Sequence, residues 1–312
     1  MATAVIKTVN LTKRYGTLVA LSNLNLEIAE GDCFGFIGPN GAGKTTTIKI
    51  LATLLQPTWG EARVCDYVVG YQSRSIRPLI GYVPDYFGAY EDMVVQEYME
   101  FFAAAYNITG PNRARIVKEV LELTDLGYKA DSPVDGLSRG MKQRLSIGRV
   151  LLHDPKVLLL DEPAGNLDPR ARIEMRELLK ELTRRNKTIL ISSHILPELA
   201  DLCNTVGIIE RGELLYSGPV ADIVRKARGG TILHVAVAER QQQAAEMLKA
   251  DPAVASVAAN NGKLEIALAE GITDYSVIST RLVAAGYRLT LFKEEDVDLE
   301  TAFMRLTKGV VQ

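Results

Sequence analysis

Cysteine is scarce, neither sign of charge is in excess, and long hydrophobic runs are missing. Cys33, Cys65 and Cys203 lie far apart with no CxxC pair. That excludes a disulfide framework or a zinc site and fits a reducing cytosol. Thirty-six Lys and Arg stand against 38 Asp and Glu, a formal net charge of −2. A nucleic-acid backbone calls for basic patches, so no nucleic-acid partner is expected. No stretch reaches the ~18 uncharged apolar residues of a membrane helix. Residues Met1 to Lys7 lack the basic region and apolar core of a signal peptide. Work at a membrane would therefore need recruitment by a partner. What is present is globular in character: 312 residues, 47% hydrophobic and 24% charged, room for two domains.

The first part reads as α/β. Short apolar runs at Cys33–Ile37, Val157–Leu160, Thr188–Ser192 and Thr205–Glu210 alternate with longer helical patterns, as in parallel sheets. Helices are expected over Gly43–Leu55, Val94–Tyr106, Asn112–Thr124, Ser138–Leu152 and Pro169–Arg184. Ala4–Asn10 and Leu21–Ile28 read as antiparallel strands, and Glu210-Arg211-Gly212 as the turn of a hairpin. A boundary is expected after residue 228, at Gly229-Gly230, dividing the chain into 1–228 and 229–312. The second part reads as strand 231–237, helix 239–249, strand 253–258, strand 263–268, helix 273–285 and strand 287–292, with a tail helix 297–308. This βαββαβ order resembles a small ferredoxin-like α+β domain and shows no catalytic cluster.

Gly38-Pro39-Asn40-Gly41-Ala42-Gly43-Lys44-Thr45 matches GxxxxGK[ST] in full. The glycines let backbone N–H groups turn inward around phosphate oxygens, and the helix that follows points its positive end at the same anion. Lys44 is expected to reach the β- and γ-phosphates, Thr45 to hold Mg²⁺, and Thr46 to complete the phosphate contacts in the first turn. Further on, Val157-Leu-Leu-Leu-Asp161-Glu162-Pro163 is an apolar run ending in two carboxylates. A buried parallel strand delivers its last residues to the ligand-binding edge of the sheet. Asp161 would hold Mg²⁺ there, directly or through water, and Glu162 would polarise the attacking water as general base.

Leu137-Ser138-Arg139-Gly140-Met141-Lys142-Gln143-Arg144-Leu145 resembles the LSGGQ signature of ATP-binding cassette (ABC) ATPases and lies just before the acidic strand, as it does there. Asn166-Leu167-Asp168-Pro169 looks like that family's D-loop, and Ser192-Ser193-His194 like its switch loop. Tyr15 sits where the family stacks an aromatic ring on adenine. The resemblance covers about residues 4–220 and is most like the ATPase subunits of bacterial exporters of the drug, polysaccharide or sodium type. It implies a P-loop NTPase cassette with a RecA-like core, an antiparallel β subdomain and a helical subdomain. It further implies ATP and Mg²⁺ as cofactors, and His194 catalytic with Glu162 and Lys44. Ser138, Arg139, Gly140 and Asp168 would then face a nucleotide held by a second copy. Ser138 would cap its helix, making an anion site with the Gly140 backbone.

Three positions depart from the family pattern. Asp85, after the strand Ile80–Val83, stands where Gln is usual and could still face Mg²⁺ or its water through a hard oxygen. Arg139 stands for Gly: it either adds positive charge near the partner's nucleotide or is a solvated residue. Met141 stands for Gln. Tyr86, Phe87 and Tyr90 crowd the loop beside Asp85, and a groove there for a short permease helix is expected; Tyr98, Phe101, Phe102 and Tyr106 at helical spacing read mostly as core. The resulting expectation is an ATP-hydrolysing homodimer that powers export through a separate integral-membrane permease, peripheral on the inner face of the plasma membrane. The second part would be regulatory or dimer-stabilising. The alternative is a soluble ABC ATPase acting on ribosomes or DNA, disfavoured by the single cassette, the absence of a long insertion and the balanced charge.

Overall fold

The computed structural model describes residues 4–86, 88, 92–223, 232–260, 262–269, 272, 274–294 and 303–304. It separates into two compact units, one running to Val220 and one from Ala221 to Arg305. The expected boundary near 228 falls in a segment outside the described residues.

The first unit opens with β1 (Ala4–Tyr15) and β2 (Leu18–Ala29), paired antiparallel. β3 (Cys33–Ile37) is buried at every position and passes through the glycine loop into α1 (Lys44–Leu51). The longer helix expected here stops at Leu51. Thr53 adopts a left-handed φ of 61°, and the Leu54 amide bonds back to the Lys49 carbonyl at 2.9 Å, closing the helix end. β4 (Trp59–Val64) and β5 (Tyr67–Val68) complete a sheet of order β2-β1-β4-β5. Neither had a clear signal, because both are short and half-exposed.

α2 (Ser73–Ile76) and β6 (Ile80–Val83) lead to a helical layer of α3 (Val95–Ala105), α4 (Gly110–Leu123) and α5 (Arg139–Leu151), which pack on one another. Of the aromatics on α3 and at its C-cap, Tyr98 is fully buried, but Phe101 and Tyr106 keep much of their surface exposed. The helical period marked the stripe correctly and overstated its width.

β7 (Val157–Asp161), α6 (Pro169–Arg184), β8 (Thr188–Ser193), α7 (Leu196–Leu202), β9 (Thr205–Glu210) and β10 (Glu213–Pro219) finish the unit. β9, β3, β8, β7 and β6 run parallel, in the order β10-β9-β3-β8-β7-β6, with β10 antiparallel at one edge. All positions of β7 and β8 are buried, which is why they read as continuous apolar runs: both faces of the sheet are covered, and the first sheet shares the core with them. The β9–β10 turn holds Arg211 at φ 49° and Gly212 at φ 80°, two left-handed residues in succession, the requirement of a tight hairpin. Because the strands are parallel, the ends of β3, β7 and β8 open at one edge.

The second unit comprises β11 (Ile232–Val237), α8 (Gln241–Lys249), β12 (Val254–Asn260), β13 (Lys263–Leu268), α9 (Ser276–Ala284) and β14 (Leu289–Glu294). Its antiparallel sheet has the order β12-β13-β11-β14, the strand arrangement of the ferredoxin-like fold. Leu233, Val235, Leu264 and Ile266 alternate inward against Ala244, Leu248, Ile278 and Leu282 of the two helices. The tail helix expected over 297–308 lies almost wholly outside the described residues.

Candidate active site

The glycine loop leaves β3 and wraps to α1, whose first residue is Lys44. Gly43 has a φ of 111°, and a Cβ placed on it would lie 2.6 Å from Leu21 Cδ2 and 2.8 Å from the Ala20 carbonyl, so only glycine fits. Gly38, Ala42 and Gly43 are buried, Pro39 is half-buried and Asn40 and Gly41 are exposed at the rim; Thr46 is half-buried in the first turn. Lys44 is buried, and its Nζ donates to the Gly38 carbonyl at 2.6 Å and the Pro39 carbonyl at 3.3 Å. Burial lowers its pKa from the usual lysine value, and the Glu162 and Asp161 carboxylates oppose that shift.

At the end of β7, Asp161 is 1% exposed. Its Oδ1 accepts from Thr45 Oγ1 at 3.1 Å and from Ser192 Oγ at 2.7 Å. Its Oδ2 is buried and has no hydrogen-bond partner. Burial raises its pKa, the Ser192 and Thr45 hydroxyls hold it down, and the nearby Asp85 and Glu162 carboxylates raise it further. A buried, unpaired carboxylate oxygen beside a threonine hydroxyl is a hard-oxygen set suited to a divalent cation, which would remove the cost of the uncompensated charge. The same surroundings raise Tyr82 to about 12, through burial first and the Asp161 and Asp85 charges second.

Glu162 turns the chain out of β7 in a left-handed conformation, φ 49°, an uncommon state for a residue with a side chain. Its amide donates to Ser192 Oγ at 3.0 Å and to the Ser192 carbonyl at 3.2 Å. Its carboxylate lies between two partners: Oε1 is 3.6 Å from Lys44 Nζ, and Oε2 is 2.7 Å from Nδ1 of the exposed His194. Ser192 was missed as a site residue. One hydroxyl donates to Asp161 and receives the Glu162 amide, so it holds both carboxylates in place. The available signal was a serine ending a buried apolar strand beside the switch histidine.

Ser138 caps α5, accepting from the Met141 amide at 3.3 Å. Exposed Arg139 donates to the Asn166 carbonyl at 3.3 Å, and Asp168 caps α6 by accepting from the Ala171 amide at 3.0 Å. Gly140 is buried against α6: a Cβ there would lie 2.6 Å from Ala171 Cβ. Asp85, Tyr86, Arg139, Gln143, Glu162 and Asn166 line a common pocket of about 300 Å³. Asp85 and Tyr86 are exposed, while Phe87, Ala89 and Tyr90 of the expected groove lie outside the described residues. Tyr15 is half-exposed at the end of β1, with Lys13 Nζ 5.2 Å from its ring centroid.

The profile of the ABC transporter family matches residues 21–165. A Nod factor export ATP-binding protein of Burkholderia orbicola is 37% identical over 235 residues, 75% of this chain and 77% of its own. The chain belongs to the ABC transporter family. A bacitracin transport ATP-binding protein of Bacillus licheniformis is 40% identical over 72% of each chain. A linearmycin resistance ATP-binding protein of Bacillus subtilis is 29% identical over 96% of each, so it spans the second unit as well. Among solved structures, a dimeric bacterial ABC transporter cassette matches with a TM-score of 0.62 and 28% identity, over 69% of this chain and 98% of its own. That cassette is also known in a post-hydrolysis state with ADP and Pi. The fold expected from the sequence is therefore the fold found, and this ABC subunit is an ATPase. Among its described residues no helix is long and apolar enough to cross a membrane.

Proposed function

We propose that this ABC ATPase powers export by a separate integral-membrane permease, as a homodimer that closes on ATP and opens after hydrolysis. The observation that carries the chemistry is Glu162 held between Lys44 and His194, beside the buried Asp161. Lys44 and the loop from Gly38 to Thr46 bind the β- and γ-phosphates, and Tyr15 stacks on the base. Thr45 and Asp161 would hold Mg²⁺, and Asp85, whose charge acts on Asp161, would supply a further hard oxygen beside it. The ion, when bound, neutralises phosphate charge and orients the triphosphate. Glu162 accepts a proton from the attacking water, and His194 keeps that carboxylate oriented and contacts the γ-phosphate.

Each chain carries one cassette, so two complete sites need two copies related by a two-fold axis. Ser138, Arg139, Gly140 and Asp168 of one copy face the nucleotide held by the other. Export, rather than import, is supported by relatives named for Nod factor export and linearmycin resistance. Recruitment by the permease places the subunit on the inner face of the plasma membrane. Tyr86, exposed beside Asp85, belongs to the surface that meets the permease. The second unit regulates or stabilises the dimer.

The test is Glu162→Gln. It should lower turnover by about 100-fold or more while retaining ATP and accumulating as a dimer in magnesium ATP. Unchanged turnover would remove Glu162 as the base, and a variant that stays monomeric with saturating nucleotide, alone and with the permease, would remove the closure reading.

A further inference from the structure

We infer that α6 is a strut joining the two ends of the nucleotide machinery within one chain. Arg172 and Arg176, ion-paired to Glu198 and Asp201 of α7, are the positioning residues through which the signature end is felt at His194. The inference rests on the composite-site reading above.

α6 begins at Asp168 and presents two different faces. Ala171 and Glu174, three residues apart, face α5. Ala171 takes the close approach of Gly140, and Glu174 Oε2 lies 3.2 Å from Nη2 of Arg144, a guanidinium 4% exposed. Arg139 adds its bond to the Asn166 carbonyl at the start of the same segment. The signature helix and α6 are thereby fastened at the residues that would meet the partner's nucleotide.

Arg172 and Arg176, four apart and so one above the other on the helix, face α7. Arg172 Nε lies 3.6 Å from Glu198 Oε1, and Arg176 Nη1 donates to Asp201 Oδ2 at 3.0 Å. Glu198 is mostly buried and lies in the first turn of α7, four residues after His194. Burial raises its pKa, and the Arg172 and Arg176 guanidinium groups pull it down. His194 and Glu162 both lie close enough to act on its charge.

α7 has seven residues and no side-chain cap, so its placement comes from its contacts and not from intrinsic helix stability. An apolar seam of Met175, Leu179, Leu199 and Leu202 lines the space beneath the ion pairs. Apolar burial is non-directional; the two ion pairs set the register. A shift of α5 and the D-loop on meeting a nucleotide is then passed by α6 to α7, and from there to the 2.7 Å bond between His194 and Glu162. Hydrolysis at one site responds to closure at the other.

The experiment compares full-length wild type with Arg172→Gln/Arg176→Gln and with Glu198→Gln/Asp201→Asn. ATPase rate is measured against ATP concentration, with equilibrium nucleotide binding alongside. Wild type should show a Hill coefficient of about 2, and both variants a value of about 1. Their kcat should fall about tenfold with nucleotide affinity held within about twofold. The exchanged pair Arg172→Glu/Glu198→Arg should return cooperativity and bring kcat to within about threefold of wild type. Should the neutral variants fail to fold, Arg172→Lys, which keeps the charge and loses the fork, should show the same loss in smaller measure. Wild-type cooperativity in the variants, or an exchanged pair no better than its single changes, overturns the strut. If Glu162→Gln still dimerises on ATP in that case, the composite-site reading survives and only the strut is lost; if it does not dimerise, the reading itself has failed.

Discussion

Nδ1 of His194 stands 2.7 Å from Oε2 of Glu162, while the other oxygen of that carboxylate faces Lys44. A general base must be aimed as well as charged. Glu162 leaves β7 in a strained backbone state, and its side chain is held by two partners, one at the start of α1 and one just after β8. His194→Ala should therefore lower phosphate release by about 100-fold at saturating ATP, since the carboxylate loses its orientation. Equilibrium ATP binding should change much less than turnover, because in the proposed function most of the phosphate contacts come from α1 and its loop. A fluorescent-nucleotide titration beside a phosphate-release assay checks both halves.

Lys44→Ala acts at the opposite stage. The ammonium is buried with its pKa lowered, and its hydrogen bonds go to the carbonyls of its own loop; in the proposed function phosphate oxygens take their place. A charged hydrogen bond is worth about 1.5–3 kcal/mol, so affinity for ATP should weaken by about 10- to 150-fold. Calorimetry at fixed Mg²⁺ measures it.

Gly140→Ala tests the join between signature and D-loop. The new methyl group would lie 2.6 Å from Ala171 Cβ, and one backbone or the other must move. A small overpacking of this kind costs about 1–3 kcal/mol. The expected result is a lowered melting temperature together with weaker ATP-driven dimerisation in a Glu162→Gln background, and nucleotide binding by the monomer unchanged.

His153 gives a pH dependence of stability. Its Nε2 meets the Ile80 carbonyl at 2.9 Å, its ring stacks on Tyr106 at 4.2 Å, and burial pushes its pKa below the usual 6.5. The unfolded chain accepts a proton at higher pH than the folded one, so stability is lost as pH falls through 6.5. Melting temperatures taken at about pH 7.5 and about pH 5.5 should differ more in wild type than in His153→Gln.

Much of the cassette was legible because its chemistry is written locally. A glycine loop between a buried strand and a helix, and two carboxylates ending an apolar run, need only their neighbours to be recognised. The parallel strands were legible for a related reason: burial on both faces leaves no polar position to confuse the pattern. β4, β5 and α7 were not, since short, half-exposed elements carry too little periodicity. Ser192 was missed because its segment marks a serine near the end of a buried strand, while its place between Asp161 and Glu162 comes from the neighbouring strand β7.

The sequence by itself determined which groups are available: the phosphate loop, the paired acids, the switch histidine, the signature, and a second unit of ferredoxin-like order. Only the tertiary structure decided their company. The order of the parallel sheet sets the ends of β3, β7 and β8 side by side, and the two faces of α6 choose Arg144 and the α7 carboxylates as neighbours. Distances between residues far apart in the chain follow from how buried strands and helices stack, and no local pattern encodes them.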